Sequence, residues 1–121
     1  MPEQRIRSII ETALDAVVTM NPAGEITEWN AQAERIFGWS RKEAIGRCLC
    51  DTIIPPQHRQ AHERGLQRFL ATGEGPLLNK RIEITALHCT GREFPVELAI
   101  SSTKIADAWT FSAFVRDISD R

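Results

Sequence analysis

The sequence lacks the features that mark several large classes of protein. No run of about 18 apolar residues occurs, so this segment is not predicted to insert into a membrane. The 15 Lys and Arg residues nearly balance 16 Asp and Glu residues, which gives a net charge of −1 and no basic surface for nucleic acid. The sequence has only three cysteines and no apolar signal-peptide core at its N-terminus. These absences together predict a cytoplasmic location.

Recognisable catalytic motifs are also lacking. The sequence contains no nucleophile elbow, no phosphate-binding glycine loop and no kinase histidine motif. Glu93 and Glu97 would share one face of a strand, but that face is predicted to contact solvent or a linker rather than a substrate. We therefore expect that this domain is not itself an enzyme.

The second half of the chain carries the clearest structural pattern. Apolar residues occupy every second position from Phe94 to Ile100, which predicts a strand with one buried face. The turn-forming segment 90–92 precedes it, and residues 81–87 and 109–115 have strand composition on either side. Three antiparallel strands are therefore predicted in succession.

The first half predicts two strands followed by helices. Residues 16–20 and 26–29 are predicted to form the strands. A helix is predicted after the second strand, with Asn30 as its N-cap and Gly38 at its C-terminal end. Residues 40–45 begin with a capping-box pattern, 49–54 are a short apolar segment, and the longest helix is predicted from the Pro55-Pro56 pair to about residue 71. An amphipathic helix is predicted at the N-terminus, with its apolar stripe at Ile6, Ile9, Ile10 and Ala13.

Five segments in this order resemble the PAS domain family, the small sensor modules of bacterial signalling proteins. They are residues 21–26, 29–38, 43–47, 90–98 and 115–119. The resemblance implies an α+β fold with a five-stranded antiparallel sheet in the order 2-1-5-4-3 and helices packed on one face. It divides the chain into an N-terminal amphipathic helix, residues 1–14, and the PAS domain, residues 15–121.

The resemblance also implies a role in signal transduction. Such a domain binds a small ligand or mediates dimerisation, and relays a signal to a C-terminal effector such as the histidine kinase of a two-component system. A homodimer is expected through the N-terminal helix or a sheet face, without nucleic acid or membrane insertion. The signal would leave through Asp117, Ile118 and Ser119. A ligand-free dimerisation and relay module is the alternative.

The expected ligand pocket lies between the apolar face of the sheet and the helices. Its predicted lining consists of Phe37, Ile53, Ile54, Leu66, Phe69, Ile82, Ile84, Val96, Leu98, Ile100, Phe111 and Ala113. The identity of the ligand stays open at this point.

Haem is a second alternative, again by resemblance. His62 occupies the position of the axial histidine in oxygen-sensing haem PAS kinases, and Arg68 that of the arginine that pairs with a haem propionate. Leu98 and Ile100 match apolar residues over the haem. Ile82 and Gly65 depart from that pattern, because the haem family has an arginine and an aromatic there. Without haem, His62 is a surface histidine of a common PAS helix.

Two other cofactors are not expected. A flavin-reactive cysteine would need a different register from that of Cys48 and Cys50, so flavin is not predicted. His58 and His62 share a helix face at i, i+4, but the sequence shows no third ligand and no structural-zinc spacing. No metal site is therefore predicted.

Overall fold

Five antiparallel strands make up the sheet in the computed structural model, which describes residues 15–72, 81–105 and 107–120. The strands are β1 (Ala16–Met20), β2 (Ile26–Trp29), β3 (Arg81–Leu87), β4 (Glu93–Ile105) and β5 (Ala108–Asp117). Their order across the sheet is β2-β1-β5-β4-β3, which confirms the predicted topology. The predicted helix over residues 1–14 lies outside the described residues.

The helices of the described residues lie between β2 and β3 in the chain. They are α1 (Ala31–Phe37), α2 (Arg41–Ala44), α3 (Leu49–Thr52) and α4 (Arg59–Thr72), with a 3₁₀ turn at Pro56–His58 before α4. The longest helix thus begins three residues later than the proline pair predicts, because the second proline opens the 3₁₀ turn instead. None of the helices in the described part of the chain is both long and apolar enough to span a bilayer.

β4 and β5 are longer than the sequence pattern indicates. They pair continuously from Val96 opposite Asp117 to Ile105 opposite Ala108, so the polar residues 101–104 belong to a strand. The alternation predicted for β4 is confirmed, since Phe94, Val96 and Leu98 are buried and Pro95 is exposed. This alternation directs one face of β4 toward the helices.

Local capping chemistry sets the bounds of α1. The Asn30 side chain accepts a hydrogen bond from Ala33 N at 3.0 Å, and Gly38 ends the helix with φ +83°. A Cβ atom at Gly38 would lie 2.6 Å from Cys89 Sγ and 2.6 Å from His88 Nε2, so a larger residue would have to displace these side chains as well as adopt a positive φ. α1 is thereby fixed against the β3–β4 turn.

Two aromatic groups fill the layer between sheet and helices. Phe37 packs against Trp29 and Phe94, with ring centroids 5.4 and 5.9 Å away. Phe69 of α4 packs edge-on against Trp109 and Phe111 of β5, at 4.8 and 5.0 Å. The second group joins the longest helix to the sheet.

Candidate functional site

The candidate site lies where α4 covers the inner face of the sheet. His62, Leu66 and Phe69 follow the i, i+4, i+7 spacing that places them on one face of α4. Phe69 is buried against β5, while His62 and Leu66 are half-buried. This face of α4 therefore changes from fully packed at Phe69 to partly open toward its N-terminal end.

The inner face is incompletely covered on the side of β3, an edge strand. Ile84 pairs with Val96 in the antiparallel register, so the two side chains lie on the same face of the sheet. Val96 is completely buried, whereas Ile84 is 39% exposed, and Ile82 beside it is half-buried. The covered apolar layer thus ends within β3, where Ala86 is buried and Ile84 on the same face is exposed.

The other predicted pocket residues lie in or against the same hydrophobic core. Phe37, Ile53, Phe69, Val96, Leu98 and Phe111 are buried members of that core. Partly buried residues pack against it, namely Ile54, Leu66, Ile82, Ile100 and Ala113. Ile84 differs from them because it is more exposed than any of these residues, at 39%.

His62 has an unusual environment for a histidine on a helix. Its Nδ1 atom is buried and has no hydrogen-bond partner among the described residues. Burial lowers the pKa of the imidazole, and the neighbouring Glu63 carboxylate opposes that shift only in part. The ring is therefore neutral near pH 7, with a nitrogen lone pair available to a ligand.

Sequence reasoning set Cys50 aside as a metal ligand, and it did not single out Glu63. One ligand atom from each of Cys50, His62 and Glu63 lies within 4.8 Å of the other two. Cys50 is on α3, so its approach to α4 is a tertiary contact that no sequence spacing reveals. The i, i+4 partner His58 is exposed in the 3₁₀ turn.

The end of β5, where the chain leaves the sheet, lies beside the start of β1, where the chain enters it. Ile118 N donates a hydrogen bond to Pro95 O at 3.2 Å, and the Ser119 amide donates to Asp117 Oδ1 at 2.9 Å. An exposed ion pair joins Arg116 Nε to Asp15 Oδ1 at 3.0 Å. The residues predicted for signal exit thus form a defined turn held against β4.

The sequence comparison decides the family. The family model described as the PAS fold matches residues 4–118. The chain belongs to the PAS family. Its curated relatives include signalling proteins, so it is a PAS sensory domain of the kind found in histidine kinases.

Three relatives of this PAS domain are much longer proteins than the present chain. An uncharacterized protein of Azorhizobium caulinodans is 44% identical over 95% of this chain and 16% of its own length. The sensor protein FixL of Bradyrhizobium diazoefficiens is 30% identical over 98% of this chain and 23% of its own. The cell-division control histidine kinase PdhS of Brucella ovis is 28% identical over 96% of this chain and 11% of its own length. The chain therefore spans less than a quarter of the length of these relatives.

A solved structure supports the same fold. The PAS domain of a protein from Colwellia psychrerythraea superposes with a TM-score of 0.82 at 19% identity, covering 100% of both chains. At that identity the similarity shows the fold alone. The predicted PAS fold and its strand order are thus confirmed.

Proposed function

We propose that this PAS domain senses an apolar small molecule that enters between α4 and the β3–β4 face, and that it relays the change to a C-terminal effector domain. The observation that carries the proposal is the contrast between Ile84, 39% exposed, and its fully buried neighbour Val96. An apolar inner face that is left open at one edge can accept additional apolar surface.

The relay would use the contact between α4 and β5. Phe69 touches Trp109 and Phe111, and β5 continues directly into the exit turn at 117–119. A ligand that moved α4 would therefore shift a strand that leads out of the domain. In the full-length parent protein, Asp117→Ala should leave ligand binding intact and uncouple effector output, because Asp117 Oδ1 accepts from the Ser119 amide.

The opening can be tested with Nile red, an uncharged apolar fluorescent probe. Ile84→Arg should weaken probe binding, because it places a charge at the opening. Ile45→Arg is the matched control, since Ile45 is 38% exposed on a different element. Equal probe binding by wild type and Ile84→Arg would remove the opening from the proposal, and equal losses in both variants would show a nonspecific effect.

A dimer through the outer face of the sheet is the form in which we propose that the domain works. Phe114 is 46% exposed, and it points to the face opposite Ala113 and Val115 because side chains alternate along β5. An aromatic side chain exposed on a central strand favours contact with a second copy. Phe114→Glu should lower the dimer fraction in sedimentation velocity, and Ile45→Glu should not.

Haem is the second candidate, and the buried, unpartnered Nδ1 of His62 favours it. His62 would hold the iron through a ring nitrogen, and the exposed Arg68 on the same helix would be available to a propionate. Leu98 and Ile100 on the inner face of β4 would supply apolar contacts. Bound haem would provide a binding site for a diatomic gas.

Haem titration tests this candidate directly. Wild type should give a stoichiometric Soret band that His62→Ala loses and that His58→Ala retains. A wild-type protein without that band, or a His62→Ala spectrum equal to that of wild type, would end the haem proposal.

A further inference from the structure

We propose that Cys50, His62 and Glu63 form a binding site for one divalent transition-metal ion of the zinc class, placed between α3 and α4. Ligand atoms from the three side chains lie within 4.8 Å of one another. The donor set is one thiolate, one imidazole and one carboxylate, a combination that suits zinc, cobalt or nickel and not calcium or magnesium.

The backbone around these residues already holds α3 against α4. Arg59 Nε donates to the carbonyl oxygens of Cys50 at 3.0 Å and of Ile54 at 3.1 Å. Cys50 Sγ lies 3.6 Å from Arg59 O. The thiol is therefore positioned beside the first turn of α4, close to His62 and Glu63, before any ion binds.

Only a small movement would bring the three donors to bonding geometry. Tetrahedral zinc, with bonds of about 2.0–2.3 Å, places its donors roughly 3.3–3.8 Å apart. Glu63 is exposed, so its carboxylate can rotate toward Cys50 and His62 without disturbing the core. Three protein ligands leave a fourth position for water or an exogenous ligand.

An independent observation at His62 also indicates a ligand. A buried nitrogen without a hydrogen-bond partner is unfavourable, and Nδ1 of His62 has none among the described residues. An ion bound at Nδ1 would give this nitrogen a partner.

Metal binding at Cys50 requires the thiolate form of its side chain. The thiol proton would pass to the buffer as the sulfur–metal bond forms, so the apparent affinity should increase with pH.

The ion and haem would compete for the same histidine ring, but substitution of Cys50 distinguishes the two proposals. Haem ligation by His62 needs no thiol, whereas the ion site loses one of its three ligands in Cys50→Ser. The ion site does not depend on the apolar opening at Ile84, so its failure would leave the proposed sensory function untouched.

The experiment is a titration of the reduced, chelator-treated protein with Co²⁺, followed by displacement with Zn²⁺. Wild type should bind one Co²⁺ and show a thiolate-to-cobalt charge-transfer band together with visible d–d bands of a tetrahedral site. Cys50→Ser should lose the charge-transfer band, and His62→Ala and Glu63→Gln should each weaken Co²⁺ binding by about tenfold or more.

Cys89→Ser and His58→Ala are the matched controls, because both residues are exposed and lie outside the cluster. They should leave the spectrum and stoichiometry unchanged. Glu63→Gln changes an exposed side chain, so it tests the site even if Cys50→Ser unfolds. No charge-transfer band in wild type, a band that persists in Cys50→Ser, or full affinity in Glu63→Gln would overturn the proposal.

Discussion

The Asn30 side chain forms hydrogen bonds with both the first strand and the first helix. Its removal should therefore lower the free energy of unfolding more than the loss of an ordinary helix cap does. Its side chain is 1% exposed, and its Oδ1 accepts from Val17 N at 2.9 Å as well as from Ala33 N at 3.0 Å. Its Nδ2 also donates to Asp15 O at 3.1 Å. Asn30→Ala removes all three of these contacts together.

The expected loss of stability has two parts. Removal of the helix cap costs about 0.5–2 kcal/mol. The amide of Val17, a buried residue, is then left without the oxygen it donates to, and an unsatisfied buried donor costs about 1–3 kcal/mol. The sum is about 1.5–5 kcal/mol of unfolding free energy.

Urea unfolding measures this loss, and Ser40→Ala provides the control. Ser40 Oγ caps α2 by accepting from Glu43 N at 3.1 Å in an exposed setting, so its removal should cost only about 1 kcal/mol. The transition midpoint should fall further for Asn30→Ala, with an unchanged dependence on urea concentration. Equal losses in the two variants would refute the reasoning that Asn30 serves the strand as well as the helix.

Three further changes test the core, the α1 terminus and the buried histidine. Leu98→Ala should lower the unfolding free energy by about 2–5 kcal/mol in urea, because the side chain is buried opposite Ile82. Gly38→Ala should lower the melting temperature, since its new Cβ would clash with Cys89 and the backbone has φ +83°. In metal-free protein, stability should fall as the pH drops below about 6.5, because the lowered pKa of His62 lets the unfolded chain take up a proton first. His62→Gln should flatten that pH dependence.

Each of these predictions has a clear contrary result. A near-zero cost for Leu98→Ala would place its side chain outside the core, and a fully stable Gly38→Ala would remove the close contact with the β3–β4 turn. An unchanged pH dependence in His62→Gln would show that the imidazole is not buried in its neutral form.

The parts of the fold that sequence predicts are those fixed by neighbouring residues. Asn30 and Gly38 cap α1, Ser40 and Glu43 form the capping box of α2, and Gly91 adopts φ +93° in the predicted turn. Each of these depends on a contact or a conformation within a few residues, which residue type alone largely determines. The strand order, in contrast, came from resemblance to a family.

The parts that sequence did not predict depend on pairing across the fold. Residues 101–104 look polar and loop-like, but their register opposite 109–112 of β5 keeps them in the strand. Cys50 and His62 are brought together by the packing of α3 on α4, which neither helix encodes alone. The exposure of Ile84 likewise does not follow from its own alternating position in β3, because Ala86 on the same face is buried.

The position of β1 between β2 and β5 has a consequence for the synthesis of the protein. β1 pairs with β2 nearby and with β5 at the far end of the chain, from Ala16 opposite Val115 to Met20 opposite Phe111. A nascent chain that stops before β5 therefore leaves both β1 and β4 with an open hydrogen-bonding edge. The sheet closes only when nearly the whole segment has left the ribosome, and such non-local pairing is slow. Loss of a short C-terminal segment would consequently leave a sheet split in two, with aggregation as the expected outcome.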